Sequence, residues 1–272
     1  MDRVGLIQMT SGPDPQLNLA YIEQQIAALA AEGATWVVMP ENALVFGSRR
    51  DYHYYAEHLN QGPIQSSLAK IASRYGVWVV VGSMPIRCGE GVTTTLLVYN
   101  SDGQLVAHYD KLHMFDVDVA DSHQRYRESA TFMAGSKVVS VETPFAHLGL
   151  TICYDVRFPQ LFSELAKRGA NVIVVPAAFT AVTGRVHWQP LLTARAIETQ
   201  SWLVAVNQTG VHEGGRQTWG HSMVVSPWGE VFASLDDAPG NLLVELDLQA
   251  VHEIRAAMPV MDHSRFTNQI KN

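Results

Sequence analysis

Leu29-Ala30-Ala31-Glu32-Gly33-Ala34 and Leu165-Ala166-Lys167-Arg168-Gly169-Ala170 are two versions of one ending. Each closes a helical segment with Gly-Ala and runs into a short aliphatic strand: Trp36-Val37-Val38-Met39, stopped by Pro40, and Val172 to Val175, stopped by Pro176. Upstream of the first ending, Leu19, Ile22, Ile26 and Leu29 stand at 3, 4, 3 spacing, one stripe of an amphipathic helix. Asp14-Pro15 supplies its cap, with proline in the first turn, and the apolar run Val4 to Gln8 precedes it as a strand. Upstream of the second ending, Pro159 opens a helix and Leu148-Gly149-Leu150-Thr151-Ile152 is the strand before it.

Downstream the parallel continues. Val77-Trp78-Val79-Val80 is answered by Ser201-Trp202-Leu203-Val204, and the hairpin from Tyr99 to Ala107 by another from Val225 to Ala233. Gly103 and Gly229 fall where those hairpins call for positive φ. A single recurrence of helix, Gly-Ala, strand and proline is common in α/β chains. Four matches in one order point to an internal duplication. Each copy supplies a mixed sheet with helices on one face; two such sheets packed together make an α/β fold, a four-layer αββα sandwich with a pseudo-two-fold. No Ser/Pro/Gly-rich linker separates the copies, so residues 1–272 read as a single domain.

The bulk composition agrees with a globular α/β chain: 272 residues, 47% hydrophobic and 17% charged. A net charge of -7 argues against nucleic acid as a partner, because phosphates demand a basic face. Met1-Asp2-Arg3 leads into an apolar run too short for a signal peptide, and nothing approaches the roughly 20 apolar residues of a membrane helix. Cys88 and Cys153 are too few for a disulfide framework and read as free thiols in a reducing compartment, with the cytoplasm as the expected location.

The copies differ where chemistry needs asymmetry. Pro40 is followed by Glu41 but Pro176 by Ala177, Cys153 stands where the first copy has Met9, and Lys111 falls opposite Asp237. One active site at strand ends, drawing on both halves, is the expectation. Cys153 sits at a strand-to-helix turn, where a nucleophile is lifted out of the sheet and a helix N-terminus favours the thiolate; the alternative is a buried cysteine serving as a small hydrophobe. Glu41 stands at the mouth of a buried strand, where partial desolvation would raise its pKa and suit it to general base catalysis; the alternative is an exposed loop acid. Lys111 follows another strand and offers an ammonium for an oxyanion, or else is a solvated lysine. His212-Glu213-Gly214-Gly215-Arg216 ends in arginine where a zinc motif needs histidine, and no phosphate loop or dinucleotide fingerprint occurs, so neither metal nor cofactor is expected. A cysteine-histidine pair using His113, His187 or His221 stays open on these residues alone.

Met39-Pro40-Glu41-Asn42, Asp110-Lys111-Leu112-His113-Met114-Phe115-Asp116-Val117-Asp118 and Thr151-Ile152-Cys153-Tyr154-Asp155-Val156-Arg157-Phe158-Pro159, in that order, resemble the nitrilase or carbon-nitrogen hydrolase superfamily over nearly the whole chain. The resemblance implies the αββα fold and a Glu-Lys-Cys triad on Glu41, Lys111 and Cys153. It also implies a second catalytic glutamate, here Glu128, and an oxyanion held by Lys111 and the Tyr154 backbone N–H. The segments Gly184 to Trp188, Ala194 to Gln200 and Gly220 to Val225 are similar to the Nit branch of small-acid amidases, with deaminated glutathione amidases ahead of omega-amidases. Arg185-Val186 departs from the Pro-Ala usual before His187-Trp188. A small carboxylate-bearing amide is the substrate this implies, with Arg157 as the carboxylate-gripping cation and Phe179 and Thr183 as pocket walls; Arg157 could equally form a salt bridge within its own turn. The family also implies a homodimer.

Overall fold

Two sheets are built from matching pieces. A computed structural model of the chain describes residues 2–121, 123–267 and 270. In chain order the strands are β1 (Arg3–Gln8), β2 (Trp36–Val38), β3 (Trp78–Cys88), β4 (Gly91–Tyr99), β5 (Leu105–Asp110), β6 (Asp116–Asp118), β7 (Arg125–Arg127), β8 (Ser140–Glu142), β9 (His147–Leu150), β10 (Val172–Ala177), β11 (Trp202–Asn207), β12 (Thr209–Val211), β13 (Gln217–Trp219), β14 (Met223–Val225), β15 (Val231–Ser234) and β16 (Gly240–Glu245). The α-helices are α1 (Pro15–Ala31), α2 (Arg49–Tyr55), α3 (Pro63–Tyr75), α4 (Pro159–Lys167), α5 (Ala181–Thr199), α6 (Leu248–Ala257) and α7 (Val260–His263).

The first sheet runs β16-β1-β2-β3-β4-β5 and the second, read from its other edge, β8-β9-β10-β11-β14-β15. Strand directions agree position by position. β1, β2 and β3 are mutually parallel with β4 and β5 antiparallel beyond them, and β9, β10 and β11 are followed by antiparallel β14 and β15. Even the outer strand matches: β16 lies antiparallel to β1, and β8 antiparallel to β9. The duplication expected from the repeated Gly-Ala endings is therefore present in the topology, and it reaches individual contacts. A Cβ on Gly5 of β1 would stand 2.7 Å from Leu29 Cδ1 of α1, and one on Gly149 of β9 would stand 3.2 Å from Leu165 Cδ1 of α4. Those two leucines open the paired endings.

The period of two along each strand sorts side chains between layers. Val4, Leu6, Trp36, Val38, Val80 and Val98 of the first sheet join the core it shares with the second sheet. Ile7, Val37, Val79, Val81 and Leu97 face the other way, onto Leu19, Ile22, Ile26 and Leu29 of α1 and Leu68 and Ile71 of α3. Helices α4 and α5 cover the second sheet through Leu161, Phe162, Leu165, Trp188 and Leu192. The four layers are α, β, β, α.

Asp14 caps α1 by accepting from the Gln16 N–H, and Gly103 and Gly229 have φ of 79° and 91°, the hairpin conformations their sequence implies. Pro176 corrects the sequence reading. It does not stop its strand: β10 runs to Ala177, with Pro176 paired to Val206 of β11. The β9 ladder has already ended at Val174, so the proline lies where the strand has a neighbour on one side only. No helix among the described residues is long and apolar enough to cross a membrane.

Candidate active site

Three tight turns aim the polar residues into one cavity of about 480 Å³ lined by Glu41, Lys111, Glu128, Cys153, Tyr154 and Phe179, among others. The turn after β2 carries Glu41, and Asn42 next to it has a φ of 58°, in the left-handed region that costs most residues steric strain. Its N–H donates to Ser83 Oγ at 2.8 Å, and Gln208 Nε2 donates to the Glu41 carbonyl at 3.0 Å. Gly82 of β3 makes this turn possible. A Cβ there would stand 2.2 Å from both the Met39 and Pro40 carbonyl oxygens. Gly82→Ala is accordingly expected to push the Glu41 turn away, destabilising the fold by about 1–3 kcal/mol and lowering turnover with it. Thermal unfolding and initial rates measured on the same preparation check this; an unchanged rate would mean that the turn tolerates displacement.

Cys153 opens a 3₁₀ segment, Cys153–Arg157, at the end of the β9 strand, with a φ of 48°. A non-glycine residue held there stores about 1–3 kcal/mol of strain and persists only where the surroundings enforce it. Asp155 does the enforcing. Its buried carboxylate accepts from the Ile152 N–H at 2.9 Å, the Tyr109 hydroxyl at 2.7 Å and the His113 N–H at 3.2 Å, with His113 Nδ1 also at 2.7 Å. The turn bearing the thiol is thereby tied to the segment bearing Lys111.

Lys111 is 1% exposed, which rules out the solvated-lysine alternative. Its Nζ donates to Glu41 Oε1 at 2.6 Å and to Glu128 Oε1 and Oε2 at 2.9 Å each. Glu128, on a single 3₁₀ turn after β7, also accepts from the Phe115 N–H at 2.6 Å. The other Glu41 oxygen accepts from the Ala178 N–H at 2.9 Å, and both Glu41 and that N–H act on the Cys153 thiol.

Charge in this cluster differs from the sequence expectation in two respects. Burial alone would raise the Glu41 carboxyl, but the Lys111 charge and hydrogen bond, with Arg216 behind them, hold it below the ordinary glutamate value. The thiol, expected to be favoured as thiolate, is pushed well above its ordinary value by burial and by the Glu41 charge, which together outweigh Lys111. Burial also raises Glu128, the second acid on one ammonium. The resting arrangement is a neutral thiol beside an ionised carboxylate. Burial would lower Lys111, but the two glutamates keep it charged.

The structure brings Glu41, Lys111, Glu128 and Cys153 together, with Tyr154, Phe179 and Thr183 in the same cavity wall. It does not bring Arg157 there. That guanidinium stands outside the lining, 5.2 Å over the Phe179 ring and 5.8 Å over the Tyr154 ring, with Nη1 and Nη2 3.4 Å from His187 Nδ1. Nor is it salt-bridged within its own turn, since Asp155 is engaged by Tyr109 and His113. None of His113, His187 and His221 lines the cavity; His113 holds Asp155 and His221 Nδ1 meets the Trp219 carbonyl at 2.7 Å. Sequence reading missed Asp155 as a brace, the Ala178 N–H, and Arg216, which had served only to dismiss a zinc motif.

Comparison with known proteins is consistent with this geometry. The carbon-nitrogen hydrolase family matches residues 3–256. The deaminated glutathione amidase of Yersinia enterocolitica is 47% identical over 98% of this chain and 94% of its own length. Saccharomyces cerevisiae Nit3, a member of branch 10 of the nitrilase superfamily, superimposes with a TM-score of 0.87 at 27% identity over 97% of both chains. A glutamate-to-glutamine mutant of an amidase from Nesterenkonia, with acrylamide added at its active-site cysteine, superimposes with a TM-score of 0.81 at 28% identity, covering 95% of this chain and 98% of that one. With its duplicated sheets and a family match spanning nearly its whole length, the chain belongs to the carbon-nitrogen hydrolase family and is a hydrolase of amides.

Proposed function

We propose that this amidase works through a thioester on Cys153, and that its preferred substrate is deaminated glutathione. One observation carries the mechanism: a single buried ammonium, Lys111 Nζ, lies 2.6 Å from Glu41 in the cavity that also holds the thiol. Glu41 takes the Cys153 proton as sulfur bonds to the amide carbon, and the carbonyl oxygen becomes an oxyanion facing Lys111 and the Tyr154 backbone N–H. Removing one such donor costs roughly 10²–10³ in rate in other hydrolases. The C–N bond then breaks and the proton passes from Glu41 to the departing amine. Water attacks the thioester, Glu41 accepts its proton, the C–S bond breaks and the thiol is restored. Glu128 holds Lys111 in place throughout, a positioning role.

The substrate reading is supported by the name of the Yersinia enterocolitica relative and by the segments around His187 and His221. Its test is the release of carboxylic acid from deaminated glutathione and from α-ketoglutaramate in parallel, with intact mass recorded during turnover. The expected results are a higher kcat/KM for deaminated glutathione and an acyl adduct that maps to Cys153. A preference for α-ketoglutaramate replaces this substrate by an omega-amide. Rapid turnover with the adduct on another residue ends the thioester proposal.

A further inference from the structure

We propose that Arg216 is the residue that binds a substrate carboxylate remote from the scissile amide. The inference rests on the amidase reading of the cavity and adds to it the identity of the anion receptor. Arg216 follows the β12–β13 turn and lines the cavity with Cys153. Its Nη2 donates to the Ala178 carbonyl at 2.6 Å, the same residue whose N–H donates to Glu41. One residue thus separates the acid at the reaction centre from this guanidinium.

The guanidinium sits against two aromatic rings. It lies 5.1 Å from the Phe46 ring centre and 5.2 Å from the Tyr126 ring centre, and Phe46 is itself stacked on His212 at 3.8 Å. Burial holds the His212 ring neutral, down to about 4, so no second cation backs the stack. Rings packed against a guanidinium restrict its plane and leave its edge for a planar anion. That edge is unused. Among the described residues Arg216 makes no salt bridge, its hydrogen bond to Ala178 uses Nη2 alone, and its Nε is buried without a hydrogen-bond partner. A buried donor without a partner is costly, and a carboxylate supplies what is lacking.

The other cavity arginines are placed differently. Arg127 is occupied by the Val117 and Tyr126 carbonyls and by Asp118, and Arg49 is exposed at the start of α2. Arg157 stands outside the lining. Of the cations in this wall, Arg216 combines a fixed plane with free donors.

The test uses glutarate as probe and needs no turnover. Alkylation of Cys153 by iodoacetamide is followed by peptide mass spectrometry, which separates it from exposed Cys88, and protection by glutarate is titrated for each protein against its own unprotected rate. Arg216→Gln is expected to weaken the glutarate concentration for half-protection by roughly 30-fold, the loss of a charge-assisted bidentate contact. Arg216→Lys, which keeps the charge without the fork, falls between, and Arg49→Gln stays near wild type. Equal protection of the wild type and Arg216→Gln overturns the proposal, as does an absence of protection in the wild type. Should Arg216→Gln fail to fold, Arg216→Lys decides alone, with undiminished protection counting against. Glutarate protection alongside an absence of amide hydrolysis would sink the functional reading while leaving the anion site standing.

Discussion

Cys153→Ala is expected to lower kcat for amide hydrolysis by on the order of 10⁴-fold or more, because it removes the atom to which the acyl group bonds. The variant should stay folded: Asp155 holds the turn through hydrogen bonds from Ile152, Tyr109 and His113, none of which involves the thiol. The left-handed backbone at position 153 adds a second readout. Alanine inherits the strain at a φ of 48°, whereas glycine does not, so Cys153→Gly should be equally inactive yet more stable than Cys153→Ala by about 1 kcal/mol. Initial rates and thermal unfolding of both variants decide this. More than about one-hundredth of wild-type turnover in either, a ceiling set by rate losses on removing a nucleophile, means that another group makes the covalent bond.

Lys111→Met carries the second large effect, and it strikes stability and rate together. The lysine pairs with buried Glu41 and partly buried Glu128, and removing one partner of such a cluster costs about 3–5 kcal/mol, since Glu41 is then left with only the charge of Arg216 behind it. Glu41 then loses the charge and hydrogen bond that oppose burial most, and burial, the largest influence on it, pushes it up against Arg216 and the Cys153 contact. With a folded pKa above the unfolded one, the carboxyl's contribution is retained at pH below the unfolded value and lost as pH rises through the folded value. The variant should therefore be most stable in acid, whereas the wild-type Glu41 contribution is present above the unfolded pKa and lost as pH falls through the depressed folded one. Turnover should drop by roughly 10³-fold as the oxyanion loses its cation. Thermal unfolding across pH, with rates at the pH of greatest stability, separates the two effects; a Lys111→Met enzyme with wild-type kcat would remove Lys111 from the mechanism.

Local rules carried the sequence reading far at the level of the fold. The stripe Leu19, Ile22, Ile26, Leu29 and the Gly-Ala endings depend on the helical period and on turn chemistry, which act within a few residues, and the structure has them as read. Pro176 defeated a local rule because strand propensity yields to pairing: whether a proline ends a strand depends on which neighbours remain beside it, and β9 stops at Val174. At the site, the places of Glu41, Lys111 and Cys153 after strands left a bland alternative open for each, and the family resemblance singled them out together; the direction of two pKa shifts was not legible. That direction is a balance between burial and a 2.6 Å contact across 70 residues of chain. The positions of Arg157 and Arg216 were illegible for the same reason. Proximity to Cys153 in sequence favoured Arg157, but the turn carries it outside the lining, and the loop after β12 brings Arg216 into it.

Strand β16 completes the first sheet from a segment far removed in sequence, with Arg3 opposite Glu245 and Gln8 opposite Gly240. During synthesis on the ribosome, β1 emerges long before the strand that caps it. At about 5–20 residues per second that interval is on the order of tens of seconds, in which the nascent β1 edge presents open backbone groups. A factor that shields exposed strand edges on emerging chains should thus raise the yield of this enzyme during translation more than during refolding of the full-length polypeptide from denaturant, where both strands are available at once.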